Sequence, residues 1–264
     1  MNKCLTAILL ALSATASAQR LQPAPRLVVN ITIDQLRTDY IQAFAPLYGP
    51  DGFKKLLSEG RVYEAASYDF LPIDRASAVA SISSGTTPYY YNIVSSQWLD
   101  RATLRPVYCV ADSKVGTSPR LLSTSTIGDE LKVATGGSAR GYARAFSRDA
   151  AVLSAGHAAD GAVWVDDSRG VLATSAYYPQ KTHKWLNAYN AVYSQRASDD
   201  RTKNLAVAHA AQACVVEQAM GRDAVTDYLA VTLSAKGRGA ANWQTDMEGV
   251  YIKLDQLLGD LVAG

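Results

Sequence analysis

Two apolar patterns alternate along this chain. Residues 27–33 (LVVNITI) form a continuous β-branched run, the pattern of a strand buried on both faces of a parallel sheet, and residues 228–233 (YLAVTL) predict another buried strand. Shorter runs of strand type cover residues 61–68, 142–146 and 162–165. Helical spacing covers residues 36–44, 52–59, 76–83, 124–134, 204–220 and 246–261. Gly60 and Gly85 serve as stops, and hydroxyl residues open the 124–134 segment as caps. Strands that alternate with helices predict an α/β fold, a mostly parallel sheet with helices on both faces. No repeat, linker or low-complexity tract divides residues 19–264, so one domain is expected there, after an extended lead-in over residues 19–26. Asp34 then stands at the C-terminal end of the first strand, the edge where open α/β sheets place ligands.

The first residues bear on where the protein works. MNKCLTAILLALSATASAQ contains Lys3, an apolar run from Leu5 to Leu12 and the small-x-small triplet Ala16-Ser17-Ala18. This is the pattern of a secretory signal cleaved after Ala18, and it predicts a periplasmic or secreted protein. Cys4 precedes the apolar run, whereas a lipidated cysteine would follow it. No other segment is long and apolar enough to cross a membrane. A net charge of +2 with both signs interspersed supplies no basic stripe and argues against a nucleic-acid partner. After cleavage Cys109 and Cys214 remain, and the sequence leaves open whether they meet in a disulfide. With His157, His183 and His209 they are thin material for a zinc site, and none stands at ligand spacing from another.

Candidate chemistry concentrates in FLPIDRASAVASISSG, residues 70–85. A helix of small residues starts near Asp74, and the turn before it presents Arg75 where many hydrolases carry a Ser or Thr nucleophile at the positive end of a helix. This segment lies in a collinear series with residues 27–60, VYCVADSKVGTSPRLLSTSTIGDELK, SAGHAADGAVWVDDSRGVLATSAYYP and DYLAVTLSAKGRGAANWQTDMEGVYIKLDQLLGDL. On these segments the chain resembles the alkaline phosphatase superfamily, specifically exported bacterial alkaline phosphatases and nucleotide pyrophosphatase/phosphodiesterases. That resemblance implies phosphate ester hydrolysis at two zinc ions. An Asp after the first strand binds metal, a Thr or Ser at a helix start attacks phosphorus, and the metals stabilise the attacking and leaving oxygens. An Asn and, in the monoesterases, a Lys-x-Arg pair contact the phosphoryl oxygens.

Position by position, the resemblance carries over unevenly. Asp34 matches the first metal ligand. The nucleophile position falls on Arg75, whose guanidinium stays protonated and cannot attack phosphorus. Ser96 stands for the phosphate-contacting Asn, and Ser147 and Asp149 stand for the two cations, an exchange that would repel a phosphate dianion. Lys236 and Ala240 occupy two further zinc-ligand positions. The chain ends at Gly264, ahead of the region of the family's remaining ligands, so a truncated form lacking the C-terminal part of the fold is expected. His157 is expected to pack or hydrogen-bond beneath the site, Asp166-Asp167 to form a turn, and Tyr89, Tyr90 and Tyr91 a surface-packed turn.

The expectation is therefore an exported, non-catalytic member of a phosphatase family, with zinc weakly bound or absent. One alternative is an enzyme that uses Ser77 or Ser81 as nucleophile and holds a single metal on Asp34. Another is a module that binds a phosphate-like anion or a protein partner through Arg75, Arg148 and Lys236, unless Asp74 or Asp149 neutralises Arg75 internally. A chain short of the full family fold would expose sheet edge and helix faces, to be covered by homodimerisation or by different packing.

Overall fold

The computed structural model describes residues 23–192, 197–239 and 241–263. The expected leader ending at Ala18, and Ala240, lie outside the described residues. In chain order the strands are β1 Leu27–Asp34, β2 Gln97–Asp100, β3 Arg105–Tyr108, β4 Ala111–Asp112, β5 Gly116–Thr117, β6 Gly141–Ala145, β7 Gly161–Val165, β8 Leu172–Ala173 and β9 Asp227–Ser234. The helices are α1 Thr38–Ala43, α2 Phe53–Glu59, α3 Arg75–Ser84, α4 Pro88–Tyr91, α5 Ile127–Ala134, α6 Arg148–Ala155, α7 Gln180–Val192, α8 Asp200–Glu217 and α9 Trp243–Ala263. A five-stranded sheet runs in the order β1-β9-β6-β7-β8. Its first four strands pair in parallel and β8 pairs antiparallel to β7.

The alternation of side chains in β9 divides the interior into two layers. Leu229, Val231 and Leu233 pack with Val207, Ala211, Tyr251 and Leu254 on one face. At about 1.5–3 kcal/mol for each large apolar side chain buried, these residues are a major source of stability. Tyr228 and Ala230 pack with Ala143, Ala145, Val79, Ala80 and Val152 on the other. That second layer is rich in alanine, including Ala76, Ala150 and Ala151, so α3 and α6 approach closely. The Ser83 hydroxyl on α3 donates to the Leu153 carbonyl on α6 at 2.9 Å. This packing brings the starts of the two helices together at the C-terminal edge of the sheet.

Helix ends follow the expected chemistry. Asp74 caps α3 in a reciprocal box with Ser77, and Gly85 ends it in the left-handed region at φ 70°. Thr126 caps α5 in the same way with Asp129. Two expectations fail. Residues 61–68 form no strand; all of them are exposed, so pairing would bury no apolar face. β1 is not buried on both faces, because it is an edge strand of this sheet, with Val28 and Val29 exposed.

Candidate functional site

Four of the predicted site residues converge where β1 ends and α3 and α6 begin. Arg75 opens α3 and reaches Asp149, in the first turn of α6. Its Nε lies 3.2 Å from both Asp149 carboxylate oxygens and its Nη2 3.0 Å from Oδ2. Arg75 Nη1 is 3.7 Å from Asp34 Oδ2, at the end of β1. The Asp149 side chain is fully buried and also accepts from the Ala150 amide at 3.0 Å and the Ser96 hydroxyl at 3.3 Å. The Phe146 ring lies 5.3 Å from the guanidinium carbon.

The electrostatics match this geometry. Burial raises the Asp34 carboxyl above its ordinary range, and the nearby Arg75 charge only partly offsets it. Burial opposes the Arg75 cation, but the charge and hydrogen bonds of Asp149, with Asp34, outweigh it and raise its pKa. Arg75 is thus a permanent, partly buried cation with two carboxylates beside it.

The remaining predicted residues do not join this cluster. Ser147 precedes α6 but makes no capping bond, and its hydroxyl has no partner among the described residues. Arg148 turns aside to lie over the Tyr108 ring at 4.5 Å. Arg75, Ser147, Arg148 and Asp149 line one cavity of about 670 Å³ above the ends of β6 and β7, whose walls do not include Lys236. Lys236 is exposed and forms no ion pair among the described residues. The alternative that gathers Arg75, Arg148 and Lys236 is not what the structure shows: Lys236 stands apart, and the Arg75 charge is met inside the protein by Asp149, one of the two carboxylates weighed for it. Asp74 serves instead as the α3 cap, where burial raises its pKa and bonds from Ser77, Ser96 and Ser95 lower it further than burial raises it.

Ser77 is buried and fixed in the α3 cap. Its hydroxyl accepts from the Asp74 amide at 3.0 Å and donates to the Asp74 carbonyl at 3.1 Å. Ser81 donates to the Thr86 carbonyl at 2.6 Å. Among the described residues no group of three or more His, Cys, Asp or Glu is placed to hold a metal ion.

His157 hydrogen-bonds, as expected, but not beneath the Arg75 cluster: it follows the C-terminus of α6, at the opposite end of that helix from Asp149. Its Nδ1 is 3.2 Å from Asp129 Oδ2 and its Nε2 3.0 Å from the Leu122 carbonyl. Asp129 also accepts from the Thr126 amide at 2.8 Å and the Ala158 amide at 2.6 Å. Gly156 completes this corner at φ 77°, where a Cβ would collide with Thr126 Oγ1 and Asp129. The bond to Asp129 raises the His157 pKa despite burial, while the Asp129 carboxyl falls because its hydrogen bonds outweigh burial.

Asp166 forms a turn with Ser168, and Asp167 pairs with Lys203. Tyr91 is buried and donates to the Ser77 carbonyl at 2.9 Å, whereas Tyr89 and Tyr90 are exposed. Cys109 and Cys214 are free thiols, buried in the two opposite layers, which answers the disulfide question. Sequence reasoning missed Phe146, Tyr108 and Asp129. Of these, Asp129 carried a readable signal, a Thr-x-x-Asp capping pattern.

The type I phosphodiesterase/nucleotide pyrophosphatase family profile matches residues 28–264. Alkaline phosphatase PafA of Elizabethkingia meningoseptica is 35% identical over 179 residues, 64% of this chain and 33% of the relative. Alkaline phosphatase PhoV of Synechococcus elongatus is 36% identical over 177 residues, 63% of this chain and 32% of the relative. The chain thus spans about a third of the length of these curated relatives. The crystal structure of wild-type PafA superposes with a TM-score of 0.84 at 26% identity, covering 92% of this chain and 60% of that one. A PafA form with a threonine, an asparagine, a lysine and an arginine substituted gives the same match.

Proposed function

Because the chain belongs to the type I phosphodiesterase/nucleotide pyrophosphatase family, within the alkaline phosphatase superfamily, we propose that it is an exported, non-catalytic member of that family. The observation that carries this reading is the ion pair of Arg75, the residue that the resemblance matches to the nucleophile, with the buried Asp149. In the substituted PafA the threonine and asparagine are separated by as many positions as Arg75 and Ser96, and the lysine and arginine by as many as Ser147 and Asp149. That agreement in spacing supports the residue-by-residue carry-over.

Four physical arguments run the same way. A guanidinium has no lone pair to offer phosphorus and keeps its proton at any relevant pH. A divalent ion on Asp34 would face the fixed Arg75 cation 3.7 Å from that carboxylate, so the donor set does not fit the zinc of the family. A phosphate dianion brought to Arg75 would meet the Asp149 carboxylate already bonded there, which disfavours the anion-binding reading. Ser77, buried and doubly hydrogen-bonded within its own turn, lacks the freedom of an in-line nucleophile. Export rests on the leader pattern before Ala18, and no helix of the described residues is long and apolar enough to cross a membrane.

The test is zinc stoichiometry and phosphate release measured on the same purified protein, with an aryl phosphate monoester and a diester as substrates. No bound zinc after dialysis and no release above buffer are expected. Stoichiometric zinc with turnover that Asp34→Ala abolishes would overturn the proposal.

A further inference from the structure

A second arginine is buried more deeply than Arg75 and is treated differently. Arg144 stands in β6 between Ala143 and Ala145, 2% exposed, on the sheet face covered by α7 and α8. Its guanidinium carbon lies 4.8 Å from the Trp185 ring centroid and 5.4 Å from that of Tyr142. Its Nη1 donates to the Ala143 carbonyl at 2.9 Å, but its Nε has no partner among the described residues. No carboxylate of the described residues forms an ion pair with it. Residues 1–22, 193–196, 240 and 264 contain no Asp or Glu that could do so.

The ring contacts do not balance this charge. A desolvated cation–π contact is worth about 2 kcal/mol, whereas burying an ion costs several kcal/mol after relaxation. Asp160, a carboxylate on the same side, is occupied by Lys132 at 2.8 Å and by the Gly141 amide at 2.9 Å.

Arg144, Lys181, Thr182, Trp185 and Gln218 wall a small cavity of about 10 Å³. A cavity of that size holds about one water-sized occupant. Its polar lining is rich in donors. Trp185 Nε1 is buried without a partner among the described residues, and Lys181 brings an ammonium to the exposed rim. Gln218 Oε1, an acceptor at the wall, already takes the Tyr142 hydroxyl at 2.9 Å, and the Thr182 hydroxyl is spent on the Asp160 carbonyl at 2.6 Å. A water there would satisfy donors but leave the charge unbalanced; a monovalent anion does both.

We propose that this cavity is a site for one small monovalent anion of the halide class, bound by Arg144 and Trp185 with Lys181 at its mouth. Lys181, being exposed, leaves that wall adjustable to an ion slightly larger than water. The site lies apart from the Arg75 cluster and does not depend on the reading of catalysis given above.

The test is thermal unfolding at constant ionic strength while chloride or bromide replaces gluconate, an anion too bulky for the cavity. The melting temperature should rise and saturate, against the general tendency of bromide to weaken burial. Arg144→Met should abolish the rise. Lys181→Gln, a rim change that leaves the core intact, should move the halide midpoint to several-fold higher concentration. An unchanged melting temperature in wild type, or a wild-type response in both variants, would overturn the proposal. Should Arg144→Met fail to fold, bromide-soaked crystals give the answer: an anomalous peak beside Arg144 Nε supports the site, and none at saturating bromide refutes it.

Discussion

Asp129 and Asp149 both lie in the first turn of a helix, both are buried, and both collect hydrogen bonds, yet different partners hold them. Around Asp129 the donors include two backbone amides, those of Thr126 and Ala158, with His157 added. Around Asp149 the main partner is the side-chain cation Arg75. A carboxylate held by backbone amides is fixed by the course of the chain, and the Thr126, Gly156 and His157 corner lies in segments that match the family pattern. A carboxylate held by one side chain is half of a pair, and here both halves depart from that pattern together. On the function proposed above, the first corner belongs to the scaffold, and the second is a neutralised ion pair where the family has its reaction centre.

That contrast can be broken by substitution. Asp129→Ala should cost about 3 kcal/mol, the sum of a lost capping box and orphaned buried amides. His157→Ala in the same chain should recover none of it, because the amides stay orphaned. Asp149→Ala should cost about 2–3 kcal/mol, less than the full effect of an unpaired buried charge because Arg75 is partly exposed and keeps Asp34 nearby. Here Arg75→Thr added to Asp149→Ala should recover more than half of the loss, since the orphaned guanidinium is gone and the Asp34 carboxylate left behind is only partly buried. Urea unfolding of the four variants measures both couplings. Equal rescue at the two corners would erase the distinction drawn between them.

A smaller effect concerns pH. The His157 pKa is raised in the fold, so its contribution is complete below the ordinary value of 6.5 and fades as pH rises through the higher folded value. The Asp129 carboxyl is lowered, so its contribution is present above 3.8 and fades only as pH falls through the folded value. Wild-type melting temperature should therefore decline relative to His157→Gln as pH is raised from 6.5, by a modest amount because water screens the half-exposed ring. A parallel pH profile for the two proteins would contradict the Asp129 bond as its source.

Much of the frame was legible in the sequence for reasons of pattern. The runs at 27–33 and 228–233 became β1 and β9, and the helix calibrated by Asp74 and Gly85 began and ended within a residue or two of expectation. α7 was missed because its exposed face interrupts the apolar spacing with Lys181 and Lys184, and its buried positions are few. The edge position of β1 was not legible either, since a strand's own residues do not state which neighbours the chain supplies. At the site, the sequence named Arg75, Asp34, Ser96 and Asp149, which the fold brings together, and grouped Arg148 and Lys236 with them. Those two separate because α6 turns Arg148 onto Tyr108 and the end of β9 leaves Lys236 exposed, choices made by distant segments.

The central claim is that Arg75 and its carboxylate have replaced the chemistry of this site. Phosphate release from an aryl phosphate, followed as zinc is titrated into wild type and Asp34→Ala side by side, tests it most directly. Both proteins should remain at the buffer rate across the whole titration; a zinc-dependent rate in wild type that Asp34→Ala removes would contradict the account.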